Sequence, residues 1–291
     1  MPPDADVRRV GVVGLGAMGT PITRHLLGAG FRVTCCDVDP GAVGAAVALG
    51  ASGASTPADV GRTCDCVLVA VPADDDVLAV CAGTGGLAET AHAGLTVLIC
   101  SSVRPETCRA VARALEPPAG VLDAGLTGGV RGAEEGRINL LAGGDPAALD
   151  RVRPVLTAFC SGIHHLGPLG SGQVGKTVNN LVHWGTIATL MEAFQLGERL
   201  GVPASRLRRA LIEGPADSRT LRELEQMRLT WWAKDLANAA AVAEAVGEDL
   251  PLARLVRELM PDITVARIAR LLQVGGAETN APGTGRLVHL D

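Results

Sequence analysis

The sequence predicts an α/β protein: an N-terminal doubly wound parallel sheet, then an all-helical C-terminal domain, joined by one long helix. Two patterns carry this expectation. Through the first half, short apolar runs alternate with stretches of helical periodicity, as strands and crossover helices do in parallel sheets. From Gly172 onward no strand-like run recurs, and apolar residues repeat only at helical spacing. The 291 residues, 47% hydrophobic with a mean hydropathy of +0.28, exceed one typical domain and hold ample apolar surface to bury. Two domains are therefore expected, residues 1–166 and 167–291.

Residues 9–13 form a short apolar run ending at a glycine, as a buried strand would, and 18–27 repeat apolar residues at helical spacing. A second run, 31–36, stops at Asp37, with Asp39 and Pro40 behind it as a turn. These complete a β-α-β unit. Further strands are expected at 66–71 and 95–100, a helix at 105–115, and strands at 121–124, 138–142 and 164–166, with a glycine-rich loop over 125–136. In the second half, helices are expected at 174–200, 205–213, 220–246 and 252–272. The first of these would run about 40 Å at 1.5 Å per residue, enough to bridge two domains, and end at Gly201 with Pro203 beyond. The tail from Gly275, rich in Gly, Asn and Pro, is expected to fray.

Composition narrows the function. A net charge of −5 and a pI near 5.7, with no long basic run, lack the footprint of a nucleic-acid binder. No apolar leader opens the chain and no stretch is long enough for a membrane span, so a cytoplasmic protein with no membrane partner is expected. The eight cysteines form no CxxC pair and sit mostly in apolar runs, as buried reduced thiols do. No His, Cys and carboxylate cluster has metal-ligand spacing, so no metal is expected. With no tyrosine in the chain, a tyrosine proton donor is ruled out.

Between the first strand and helix, Gly14-Leu15-Gly16-Ala17-Met18-Gly19 matches GxGxxG. There the first glycine makes the turn, the second admits a pyrophosphate, and the third lets helix and strand approach closely. The helix N-terminus then faces the phosphates. Alone such a motif is weak, but a strand before and a helix after make it a dinucleotide site of the Rossmann type. Asp37, closing the second strand, is placed to accept the adenosine ribose hydroxyls and to repel a 2′-phosphate, which favours NAD over NADP. The plainer reading is a strand-ending turn aspartate.

On the long helix Lys176 and Asn180 are four residues apart and share a face. A lysine buried near a cationic nicotinamide would exchange protons near neutral pH. Taken alone, a solvated surface lysine fits equally well.

The ordered set VGVVGLGAMG, DAGLTGGVRGAEEGRINLLAGGD, GSGQVGKTVNN and WWAKDLANA resembles the β-hydroxyacid dehydrogenases, which include 3-hydroxyisobutyrate and tartronate semialdehyde dehydrogenases, over nearly the whole chain. The resemblance implies hydride transfer between nicotinamide and a small hydroxy acid. Lys176 would be the general acid/base and Asn180 would orient substrate. Thr127, Gly128 and Gly129 would form the substrate loop, its amides receiving the carboxylate. Lys234 would reach toward nicotinamide and substrate with Asp235 supporting it, while Ala70, Val71, Pro72, Ser101 and Ser102 would line the cofactor cleft. It also implies a homodimer or homotetramer.

Some positions depart from the family. Its usual loop reads DAPVSGG where this chain has residues 123–129 as DAGLTGG. Threonine keeps the hydroxyl, Gly125 in place of proline is expected to loosen the loop, and Arg131 either meets a second anionic group or is a plain surface arginine. These differences put 3-hydroxyisobutyrate itself in doubt as the substrate. His183 shares the Lys176 face and either contacts substrate or bonds within a helix interface. Trp184 stands where an aliphatic residue is expected. Trp231 and Trp232 either wall the pocket or join the core, and His164 and His165 are expected to end a strand. Competing functions are an imine reductase, against which Lys176 argues, a redox-silent NAD-binding or sensing protein, and a decarboxylating sugar-acid enzyme, for which the chain is short.

Overall fold

Aliphatic runs form the strands, and the helices between them start where the sequence marks a start. The computed structural model describes residues 7–115 and 119–272; the segment from Gly275, expected to fray, lies outside them. The chain runs β1 (Arg9–Val13), α1 (Gly19–Gly28), β2 (Arg32–Cys36), α2 (Pro40–Ala48), the two-residue β3 (Ser52–Gly53), α3 (Pro57–Thr63) and β4 (Cys66–Val69). It continues through α4 (Asp74–Ala82), β5 (Thr96–Ile99), α5 (Pro105–Ala114), β6 (Gly120–Thr127), α6 (Gly129–Glu134), β7 (Ile138–Gly144), α7 (Pro146–Leu156) and β8 (Cys160–Gly167). Helices α2, α3, α5 and α7 each open on a proline, where its missing N–H is one the helix leaves unpaired anyway. Asp39, Thr56 and Asp145 cap three of them through their side chains.

The strands order as β3-β2-β1-β4-β5-β6-β7-β8. All neighbours are parallel except β6 and β7. Strand order reverses at β1, so the crevice beyond the C-terminal ends of β1 and β4 is the switch point where open α/β sheets bind ligands. Both sheet faces are covered. Val10, Val12, Leu68 and Leu98 face a core with Ile22 and Leu26 of α1, and Val13, Val67, Val69 and Ile99 face one with Val60, Val77 and Val111. This is why the inner strands read as continuous apolar runs rather than as alternation.

The chain divides into two compact units, one ending at Thr177 and one beginning at Val178. The division falls inside α8 (Ser171–Arg199), a 29-residue helix. The second unit continues with α9 (Ala204–Ile212), α10 (Arg219–Arg222), α11 (Trp232–Val246), α12 (Pro251–Leu259) and α13 (Val265–Leu271) around Trp184, Ile187, Met191, Phe194, Leu221, Leu224, Leu236 and Val256. No helix among the described residues is long and apolar enough to cross a membrane.

Several expectations need correction. The strand expected over 66–71 stops at Val69, and the short strand expected at 164–166 is the longer β8, which holds His164 and His165 in its interior. Segment 125–136 is not a loop, since Gly125 to Thr127 continue β6 and α6 follows at once. The single helix expected over 220–246 is broken into α10, a 3₁₀ turn at Leu224–Gln226, and α11. Apolar spacing runs unbroken through this break because Leu221 and Leu224 are both fully buried. The Arg208 guanidinium takes the carbonyls of Leu221 (3.0 Å) and Arg222 in place of helical N–H groups. Pro261, in the 3₁₀ turn Met260–Asp262, splits the helix expected over 252–272.

Candidate active site

The three motif glycines serve three different needs. Gly14 follows β1 at φ +95° and donates its N–H to the Cys36 carbonyl at 3.0 Å. A Cβ there would stand 2.5 Å from the Ala70 carbonyl oxygen, so only glycine closes the turn against the end of β4. A Cβ at Gly19 would lie 1.8 Å from the Gly14 carbonyl oxygen, which sets how tightly α1 sits on the turn. A Cβ at Gly16, by contrast, would meet nothing within 4 Å. Gly16 and Ala17 are exposed while Leu15 is buried. In the first turn of the ten-residue α1, Thr20 and Ile22 already donate to the Gly16 and Met18 carbonyls and Pro21 has no N–H, so an anion would meet the backbone of the turn itself, at Gly16 to Gly19. These residues fit the pyrophosphate of a dinucleotide.

Asp37 holds the same turn from the other side. One carboxylate oxygen accepts the Leu15 N–H at 2.5 Å and the other accepts the Asp39 N–H at 2.8 Å. Each oxygen has a further lone pair, so shaping the turn and accepting a ribose hydroxyl are compatible roles. Val38 beside it is fully exposed, and no Lys or Arg occurs from 33 to 61, so a 2′-phosphate would meet carboxylates. Ser101 joins the neighbouring strand ends. It accepts the Val71 N–H at 2.9 Å and donates to the Val69 carbonyl at 3.3 Å, which fixes the chain leading to Pro72.

On β6 the alternation of side chains puts Asp123, Gly125 and Thr127 on the face that carries the start of α8. Asp123 is fully buried, and its carboxylate accepts the N–H groups of Gly170 (2.6 Å) and Gln173 (2.7 Å) at the head of that helix. Burial pushes its carboxyl above the usual 3.8, opposed by these backbone donors. Gln173, also buried, donates to the Ser101 carbonyl at 2.9 Å and accepts the Val103 N–H at 3.2 Å. A Cβ at Gly172 would lie 2.4 Å from the Leu141 carbonyl oxygen, and one at Gly125 would lie 2.7 Å from the Lys176 Cβ. The first two turns of α8 therefore rest directly on the backbones of β6 and β7, and Lys176 is seated by three separate constraints. Gly125 is consequently not a loosened loop position. It is a strand residue paired with Leu141, kept small by the lysine above it.

Asn180 lies one helical turn past Lys176, is buried, and accepts from the Asn179 amide at 3.1 Å. Thr127 closes β6, donating to the Asn139 carbonyl at 2.9 Å. Gly128 and Gly129 then turn the chain at φ +108° and +64° into α6. Arg131 pairs with Glu135 one turn along that helix at 2.9 Å. In the second unit Lys234 stands in the first turn of α11. The neighbouring Asp235 accepts the Trp184 indole N–H at 3.0 Å, tying α11 to α8. His183 contacts the Thr220 hydroxyl at 2.9 Å, a bond within the helical unit. Trp232 joins the helical core while Trp231 is exposed.

A family profile described as the NAD binding domain of 6-phosphogluconate dehydrogenase matches residues 9–167, and one described as the NAD-binding of NADP-dependent 3-hydroxyisobutyrate dehydrogenase matches residues 170–270. A 3-hydroxyisobutyrate dehydrogenase of Pseudomonas aeruginosa is 34% identical over 86% of this chain and 90% of its own. An NAD-dependent L-serine dehydrogenase of the same organism is 36% identical over 68% of this chain and 67% of its own. Among solved structures, a Mycobacterium tuberculosis 3-hydroxyisobutyrate dehydrogenase described with L-serine superposes with a TM-score of 0.79 at 27% identity, over 91% of this chain and 94% of that one.

The chain belongs to the β-hydroxyacid dehydrogenase family.

Its class is that of an NAD-linked oxidoreductase acting on CH–OH groups. In this β-hydroxyacid dehydrogenase two residues that shape the lysine seat, Asp123 and Gln173, have no role in the sequence reading. Asp123 carried a signal, since a lone carboxylate inside an apolar strand must find buried donors. Gln173 carried none, because its partners at Ser101 and Val103 are about 70 residues away in the chain.

Proposed function

We propose that the protein is an NAD-preferring dehydrogenase that interconverts a small 3-hydroxy acid and its semialdehyde, with Lys176 as general acid/base. The observation that carries this reading is the seat of Lys176, clamped from below by Gly125 and from the helix head by Asp123 and Gln173. A lysine held so firmly, on the sheet face that also carries Thr127, suits a proton transfer that needs fixed geometry.

When bound, NAD supplies the hydride acceptor and NADH the donor. The Gly14 to Gly19 turn and Asp37 would hold it, with Val71, Pro72 and Ser101 at the strand ends beside them. In oxidation the Lys176 amine takes the hydroxyl proton of the substrate, and in reduction the ammonium returns it to the new alkoxide oxygen. The substrate carboxylate rests on the Gly128 and Gly129 amides, whose direction is set by two left-handed backbone angles. Fixed N–H donors need little reorganisation as charge shifts. Asn180 orients the substrate, and Lys234 is assigned to the substrate and nicotinamide on the family pattern. The same pattern supports a homodimer or homotetramer working in the cytoplasm.

The test follows nicotinamide absorbance with NAD or NADP and a panel of small 3-hydroxy acids, for the wild type and Lys176→Ala. The expected result is turnover favouring NAD that falls about 10²–10⁴-fold in the variant, with NADH binding retained. Binding of NADH without turnover of any acid would shift the reading to imine reduction or sensing.

A further inference from the structure

The short helix α6 joins the sheet through two glycines and is pinned at its other end by α1. Gly128 and Gly129, at φ +108° and +64°, lack the Cβ that narrows backbone freedom, and a Cβ at Gly129 would meet nothing within 4 Å. The link to β6 therefore leaves the direction of α6 weakly set. Its tail is held differently. A helix leaves its last four carbonyls without intrahelical partners. Here the Arg131 carbonyl accepts the Glu135 N–H at 3.0 Å, that of Gly132 the Arg137 N–H at 2.8 Å, and that of Ala133 the Gly136 N–H at 3.3 Å. The fourth, on Glu134, accepts His25 Nε2 at 3.0 Å and Arg24 Nη2 at 3.1 Å, both from α1. Two donors fill both lone pairs of that oxygen, and His25 Nε2 must carry a proton, a condition met by either the neutral or the charged imidazole. Gly136, at φ +65°, makes room for the ring, since a Cβ there would lie 3.0 Å from His25 Cε1 and 3.2 Å from Nδ1. Ala133 is fully buried in the core that also holds Ile22 and Leu26 of α1.

Resting on the dehydrogenase reading, we propose that His25, assisted by Arg24, is a positioning residue for the substrate acid: by holding the tail of α6 to the cofactor helix it fixes where the amides at the head of α6 stand. At six residues α6 is about 9 Å long, so a tail that slips carries the head with it, and the flexible glycines there offer no resistance. The two side chains act through α6. What they set is the place of the acid-binding amides relative to the glycine turn that opens α1. Arg24 is exposed and His25 half-buried, so water replaces the guanidinium more readily than the imidazole, and His25 carries the larger share.

Steady-state kinetics on the full chain test it, well below each variant's melting temperature, with saturating NAD and 3-hydroxyisobutyrate, 3-hydroxypropionate, glycerate and serine as probes. For the acid that the wild type turns over best, His25→Ala is expected to raise KM about five- to tenfold, the worth of one hydrogen bond. The loss falls mainly on KM rather than kcat, and the Kd for NADH stays put. His25→Gln, whose amide reaches the same carbonyl, keeps the wild-type KM. Arg24→Ala raises it less than His25→Ala does, and the double variant raises it most. A wild-type KM in His25→Ala, even with a lowered melting temperature, overturns the proposal, because packing alone would then place α6. So does an equal loss in His25→Gln, or a Kd for NADH that rises in step with KM, which would place the damage in α1. Each of these leaves the dehydrogenase reading standing. No turnover of any acid by the wild type alongside intact NADH binding overturns that reading and the proposal with it. Should His25→Ala fail to fold, His25→Phe, which keeps a ring over Gly136 without a donor, is expected to show the same rise in KM and decides the matter.

Discussion

Gly125 of β6 lies directly beneath Lys176 of α8: a methyl group added to the glycine would stand 2.7 Å from the lysine Cβ and 2.7 Å from the Gly172 carbonyl oxygen. Neither neighbour is the free end of a flexible chain, so α8 would have to lift. Gly125→Ala is therefore expected to cost about 1–3 kcal/mol of stability, as overpacking does, and to lower kcat at least tenfold by displacing the amine, a misplacement being costly to reactions that depend on orientation. Thermal melts read the first effect and steady-state kinetics the second, with NADH binding as the control. Unchanged kcat in a folded variant would remove Gly125 from the lysine seat.

Asp123 binds the head of the same helix through two backbone N–H groups and is fully buried. Replacing it with alanine strands both donors. A loss of about 2–6 kcal/mol is expected, from one to three for each unsatisfied group, and denaturant titration would measure it. An Asp123→Ala midpoint matching that of the wild type would mean that water replaces the carboxylate.

Asp37 both shapes the glycine turn and is assigned the ribose. Asp37→Ser is expected to raise the KM for NAD about tenfold or more and to narrow the preference over NADP, because the carboxylate opposing a 2′-phosphate is gone. Comparing kcat/KM with the two cofactors checks this. If the variant loses both cofactors equally, the turn alone explains the residue.

The cysteines set an alkaline limit. Burial pushes the thiols of Cys66, Cys81 and Cys160 up from 9.0 to about 12. The folded chain therefore holds these protons more tightly than the unfolded chain does. Below pH 9.0 both states are protonated and the thiols do not bear on stability. Between 9.0 and about 12 the unfolded state ionises first, and stability falls by about 1.4 kcal/mol per pH unit for each such thiol. Melting temperatures measured across that range are expected to drop above pH 9.0, and more gently in a Cys66→Ala, Cys81→Ala double variant. A thiol reagent at pH 8 is expected to label the native protein slowly and Cys160 first, since it alone among the eight is only half-buried.

The first half of the fold was legible because its signals are local. A buried parallel strand is a continuous apolar run, a helix start is a proline behind a capping residue, and Gly14 must be glycine for its own backbone angle. The cofactor turn follows from these alone. Breaks in the helical half were harder to read. Apolar spacing passes unchanged through residues 220–246, and it is the Arg208 side chain, from another helix, that takes the freed carbonyls there.

What the sequence by itself determined is the α/β order and the dinucleotide turn, since each rests on groups within a few residues of one another. Lys176 stands out only through the family resemblance, its local spacing fitting a surface lysine equally well. The seat of that lysine was decided only by tertiary structure. Asp123 and Gln173 hold α8 across 47 and 72 residues of chain, and Gly125 reads as a flexible loop glycine until α8 is laid across it. Thr127 meets Asn139 likewise only through the pairing of β6 with β7. Hydrogen-bond geometry between distant segments leaves no period or spacing in the sequence, because it exists only once the sheet has set their distances.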